Sequence, residues 1–142
     1  MIGKILLPTD GSDHAERTIR HAIELAKLSG ASIVAMYAYN PELFLHRKQG
    51  ALTMEEVKAT LEQDAKERVA KVAERLQAEG ITVDALAVEG PPDEAILLAI
   101  KEEKPDLVVM GSHGSGNLFS KMLGSVAESV VRYSPVTVTV VK

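Results

Sequence analysis

Short, continuously apolar runs alternate along the chain with longer amphipathic stretches. The apolar runs fall at 2–8, 32–39, 82–88, 106–110 and 136–141. Most are rich in β-branched residues and apolar at their centres, the pattern of strands buried on both faces. The last run differs. Val136, Val138 and Val140 alternate with Thr137, Thr139 and Val141, which predicts a more exposed face or an edge position. Four helices are predicted between the runs. The first starts near Ser12 or Asp13, with Asp13 and Glu16 at capping-box spacing, and ends before Gly30. The second covers 53–79, where Val57, Leu61, Ala65, Val69, Val72 and Leu76 recur every three or four positions. Glu62–Lys66 and Glu67–Lys71 are favourable i,i+4 pairs on its wet face. The third follows Pro91-Pro92 and carries Ala95, Ile96, Ala99 and Ile100, and the fourth ends at Ser134-Pro135. The order βαβαβαβαβ implies an α/β fold, a mostly parallel sheet with helices on both faces.

Length and composition narrow the class. The 142 residues suit one domain spanning 1–142, large enough to bury about 70% of the surface of its unfolded chain. Cysteine is absent, which excludes disulfides, thiolate metal ligands and thiol nucleophiles and suits a cytoplasmic location. The apolar run at 2–8 is too short for a signal-peptide core, and no stretch reaches the ~18 consecutive apolar residues that span a membrane. No membrane partner is expected. The net charge of −4 argues against a nucleic-acid partner, whose footprint is basic. The one long irregular stretch, 40–52, holds His46-Arg47-Lys48 and reads either as a solvated connection or as a lid.

Candidate chemistry gathers at two strand ends. The first strand ends in Pro8-Thr9-Asp10-Gly11-Ser12, and the fourth in Met110-Gly111-Ser112-His113-Gly114-Ser115-Gly116. Ligands of open α/β sheets bind beyond such carboxyl ends, where the winding reverses. If both ends line one site, strands one and four are neighbours and the strand order is 3-2-1-4-5. Glycines at 111, 114 and 116 let backbone N–H groups approach an anion, and Ser112 and Ser115 add hydroxyls. Nine residues beyond Gly114, Gly124-Ser125 precedes the helix that carries Val126, Ala127, Val130 and Val131. Ser125 and Glu128 have capping-box spacing, and a helix N-terminus favours phosphate.

Neither standard phosphate motif holds. Asn117-Leu118 stands where a P-loop requires Lys-Ser/Thr, and Phe119 replaces the third glycine of the dinucleotide fingerprint. The pattern Gly111-x2-Gly114-x9-Gly124-Ser125 instead resembles that of the ATP-binding universal stress proteins. The opening Lys4-Ile5-Leu6-Leu7-Pro8-Thr9-Asp10-Gly11-Ser12 and the closing Pro135-Val136-Thr137-Val138 carry the resemblance over almost the whole chain. It implies a single doubly wound domain of the adenine nucleotide alpha hydrolase-like type, with a five-stranded parallel sheet of order 3-2-1-4-5. It implies ATP over strands one and four; with no arginine in the glycine turn, a bound Mg²⁺ or Mn²⁺ could offset the phosphate charge instead. Pro8, Thr9 and Asp10 would line the adenosine end, Ile33 would match an apolar adenine contact, and Met110 would border the site. Gly111, Ser112, His113, Gly114, Gly124, Ser125 and Val126 would hold ribose and phosphates, mainly through backbone N–H groups. A homodimer through the last strand, Val136–Val141, is also implied. The chain departs from the family in having Tyr37-Ala38 for His-Val on strand two and no arginine in the glycine turn.

Rapid hydrolysis is not expected, because the sequence lacks a P-loop lysine, paired carboxylates in the glycine segment and an arginine finger. A Ser112–His113 nucleophile pair is not expected either. Adjacent residues rarely aim at one another, and there is no G-x-S-x-G elbow. His14 and His21 read as surface residues rather than metal ligands. Two functions remain: a nucleotide-dependent stress-response or signalling module with at most slow hydrolysis, and a dimeric stress scaffold that binds no nucleotide.

Overall fold

The computed structural model describes residues 1–10, 15–43, 53–113 and 122–142. Strands and helices alternate along them: β1 (Lys4–Thr9), α1 (Ala15–Ser29), β2 (Ser32–Tyr39), α2 (Met54–Ala78), β3 (Val83–Glu89), α3 (Pro92–Glu103), β4 (Leu107–Gly111), α4 (Ser125–Tyr133) and β5 (Thr137–Val141). All strand pairs are parallel, and the sheet order is β3-β2-β1-β4-β5. The expected α/β architecture is therefore the observed one.

Side-chain alternation along the strands builds two cores. Ile5, Leu7, Ile33, Ala35 and Val109 face α1 and α2, where Ile19, Ala22, Ile23, Val69 and Leu76 meet them. Leu6, Val34, Met36, Val108 and Met110 face α3 and α4, where Ala95, Ile96, Ala99, Ala127 and Val130 meet them. Burial on both faces explains why β1, β2 and β4 read as unbroken apolar runs. β3 departs from that reading. Asp84 and Ala85 are exposed, because β3 occupies a sheet edge. β5 occupies the other edge, as its alternation predicts.

Local chemistry fixes the element ends. Thr53 caps α2, its hydroxyl accepting the Glu56 N–H at 3.2 Å, and Gly80 follows the helix at φ +80°. The Asp13 side of the predicted α1 capping box lies outside the described residues. The Glu16 side serves another purpose. Its carboxylate accepts from Arg20 at 2.9 Å and from both arms of Arg75, which ties α1 to α2. On α2, Lys66 pairs with Glu62 at 3.0 Å as expected, while Glu67 accepts from Gln63. At the amino end of the sheet, one oxygen of Asp106 accepts the N–H groups of Gly3 at 2.8 Å and Lys4 at 3.0 Å, which holds β1 beside β4.

Candidate functional site

The β1–β4 ladder stops short of the carboxyl ends of the two strands, and the sequence supplies the reason. The β1–β4 ladder pairs Ile5 with Leu107 and Leu6 with Val108. On its other side, β1 stays paired with β2 as far as Thr9 and Tyr37. Backbone polar groups of alternate residues face the same neighbour. The Lys4 carbonyl accepts the Asp106 N–H at 2.8 Å, so Lys4, Leu6 and Pro8 all face β4. Proline has no N–H to give, so the ladder lacks a donor at the point where its pairing ends. A proline in a central strand is ordinarily disfavoured. Here it ends the ladder at the topological switch point, where the crevice that binds ligands in such sheets lies.

Across the crevice β4 ends in Gly111-Ser112-His113. Ser112 is buried, and all of its polar groups are engaged. Its N–H donates to the Val141 carbonyl at 2.9 Å, its carbonyl accepts the Gly124 N–H at 2.8 Å, and its hydroxyl lies 3.1 Å from His113 Nδ1. Adjacency therefore does not keep Ser112 and His113 apart, contrary to the expectation from sequence. The hydroxyl is nonetheless a buried structural tie rather than an exposed nucleophile. His113 Nε2 lies 2.5 Å from the Met122 carbonyl.

The first turn of α4 completes this wall. Gly124 is the N-cap, at φ −63° and ψ 156°, and offers no side chain to the first turn. Its carbonyl accepts the Glu128 N–H at 2.8 Å, the first bond of the helix. The expected Ser125–Glu128 capping box does not form. Ser125 stands one position inside the helix, and the Glu128 carboxylate bonds Arg132 at 2.8 Å instead. The helix thus begins without a side-chain cap, and the one acidic residue of its first turn, Glu128, is paired with Arg132.

Most of the expected site residues fall at the carboxyl ends of β1 and β4 and at the start of α4. Pro8, Thr9 and Asp10 form the end of β1, and Gly111, Ser112 and His113 the end of β4. Gly124, Ser125 and Val126 form the start of α4, tied to β4 through Ser112. Met110 is buried in the same core cluster as Ala127 and Val130, so it serves as the floor on which α4 sits. Ile33 does not join them. It pairs with Ile5 near the start of β2 and is fully buried against the α1 face. At ~3.3 Å per residue it lies more than 10 Å short of the β2 position level with Thr9. That position is Tyr37, whose ring carries the Arg68 guanidinium 5.7 Å from its centroid. Gly114 and the 44–52 part of the proposed lid lie outside the described residues.

Two contributors escape sequence reasoning. Thr18 of α1 is buried, and a Cβ on Gly111 would meet its hydroxyl at 3.3 Å, so Gly111 also makes room for α1. Met122 contributes its backbone carbonyl, which side-chain identity does not signal. Among the described residues no three His, Asp or Glu side chains group as a metal site. No helix among them is long and apolar enough to cross a membrane.

The universal stress protein family pattern matches residues 1–142. The chain belongs to the universal stress protein family. It is 35% identical over 148 aligned positions to a universal stress protein of Thermus aquaticus, covering 100% of both chains. The solved structure of the MJ0577 protein of Methanocaldococcus jannaschii superposes with a TM-score of 0.86 at 31% identity, covering 100% of this chain and 96% of that one. A universal stress protein solved in complex with cAMP superposes with a TM-score of 0.70 at 26% identity, covering 99% of this chain and 96% of that one.

Proposed function

We propose that this universal stress protein binds an adenine nucleotide, ATP in the first instance, in the crevice between the ends of β1 and β4. One observation carries the reading: a helix N-terminus without a side-chain cap at Gly124 is tied to the end of β4, the strand that neighbours β1 and its Pro8-Thr9-Asp10 end. The first turn of α4 offers backbone N–H groups to phosphate. Pro8, Thr9 and Asp10 supply the opposite wall for the nucleoside, and Met110 supports α4 from below. Gly111, Ser112 and His113 lead on from the β4 wall, and Gly114 is assigned to the nucleotide from its place in the sequence pattern alone. Val126 follows Ser125 in the first turn of α4. The cAMP complex of a relative with this fold supports an adenine ligand.

A divalent ion, Mg²⁺ or Mn²⁺, would accompany the triphosphate, offsetting charge that no P-loop lysine meets. In this reading the nucleotide is held rather than consumed. The chain acts as a cytoplasmic stress-response or signalling module, pairing with a second copy through the exposed edge of β5, Val136–Val141. Titration of the purified chain with Mg·ATP, followed by calorimetry and melting temperature, tests the reading. Saturable heat and a raised melting temperature are expected. The absence of both leaves a dimeric scaffold without nucleotide.

A further inference from the structure

We propose that the His113 side chain is a positioning residue for the ligand. Its ring locks the end of β4 to the chain just before α4, and so sets the first turn of α4 against the crevice. The inference rests on the nucleotide reading above, which assigned His113 only its backbone. The ring spans two partners of different chemistry. A carbonyl oxygen can only accept, so the 2.5 Å contact with Met122 places the hydrogen on Nε2. The neutral ring then has a lone pair on Nδ1, which accepts the Ser112 hydroxyl at 3.1 Å.

The two ends of this bridge are held unequally. Ser112 is buried and fixed by its backbone to β5 and to Gly124. Met122 is 76% exposed and Leu123 is also exposed, so neither is set in place by burial. The imidazole thus links the buried end of β4 to Met122, two residues before the N-cap Gly124, and acts as a position-setting contact. Together with the Gly124–Ser112 bond it fixes where the helix begins. Elements that bind an anion through backbone N–H groups depend on such placement, because a preformed arrangement avoids ordering costs on binding.

Calorimetry with Mg·ATP on the wild type, His113→Phe and His113→Gln tests this. Phenylalanine keeps the ring but neither bond, whereas the glutamine amide can donate to the Met122 carbonyl and accept from Ser112. The expected result is at least ~10-fold weaker binding for His113→Phe and recovery to within ~3-fold of wild type for His113→Gln. ¹⁵N-imidazole spectra of the wild type should show the Nε2–H tautomer. Unchanged affinity in His113→Phe, a glutamine no better than phenylalanine, or an Nδ1–H tautomer each overturns the proposal. A wild type that takes no ATP overturns the nucleotide reading as well, whereas a wild type that binds ATP alongside an indifferent His113→Phe overturns the positioning role alone.

Discussion

The amide of Gly124 donates to the carbonyl oxygen of Ser112 across 2.8 Å, and a Cβ on Gly124 would stand the same 2.8 Å from that oxygen. The backbone angles at Gly124 are open to any residue, so it is space that calls for glycine here. The obstructing atom is main chain and cannot rotate away. Gly124→Ala must therefore move the start of α4 off β4. Overpacking of this kind costs roughly 1–3 kcal/mol. We expect a lower melting temperature together with at least ~10-fold weaker Mg·ATP binding. Calorimetry on a variant shown to be folded by circular dichroism checks it.

Gly111 and Thr18 form a second close pair, with 3.3 Å between a Gly111 Cβ and the Thr18 hydroxyl. Gly111→Ala should destabilise the chain by pressing on α1, and Thr18→Ala should relieve much of that pressure. Residues in contact show coupling energies of about 0.5–3 kcal/mol. Denaturant unfolding of the two single variants and the double variant measures the coupling, and additive effects would show that α1 is not what crowds Gly111.

Asp106 makes stability depend on pH at the other end of the sheet. The N–H groups of Gly3 and then Lys4 bond its carboxylate and hold its pKa below the ordinary value of 3.8. A pKa lowered by folding gives stability that is complete above the unfolded value and is lost as pH falls through the folded one. Asp106→Ala should therefore melt below wild type at neutral pH, and the gap should close as pH falls below 3.8. Melting temperatures measured from pH 7 down to about pH 2.5 test the sign.

Hydrolysis should be slow. Asn117 stands at the P-loop lysine position, and the described residues hold no three-ligand metal cluster. The Ser112 hydroxyl is buried on His113. Among the described residues, neither the ends of β1 and β4 nor the first turn of α4 holds a Lys or Arg to stabilise a transferring phosphoryl group. Phosphate release under saturating Mg·ATP is expected well below the ~1 s⁻¹ at the low end of ordinary turnover numbers.

The fold was legible because each strand and helix announces itself in the periodicity of its own residues. Ser32–Tyr39 was read to the residue, and the buried faces of α2 and α3 followed from their spacing. The strand order was accessible through function, since two chemically unusual strand ends had to converge. Legibility failed where the deciding contact is made by backbone or set by register. Ser125 has the composition of a cap, yet Gly124 takes that place because its amide is the one that reaches Ser112. Ile33 has the right character for an adenine contact, but pairing with Ile5 leaves it short of the crevice. Pro8 carried more information than its type suggested. Only the direction of the Lys4 carbonyl shows that its missing N–H falls on the β4 side.

The most direct test of the central claim is calorimetric titration of Mg·ATP into the wild type and Gly124→Val side by side. The account predicts saturable binding of one nucleotide per chain to the wild type, and its loss in a variant whose side chain would occupy the approach between α4 and Ser112. Equal binding by both, or heat from neither, would contradict it.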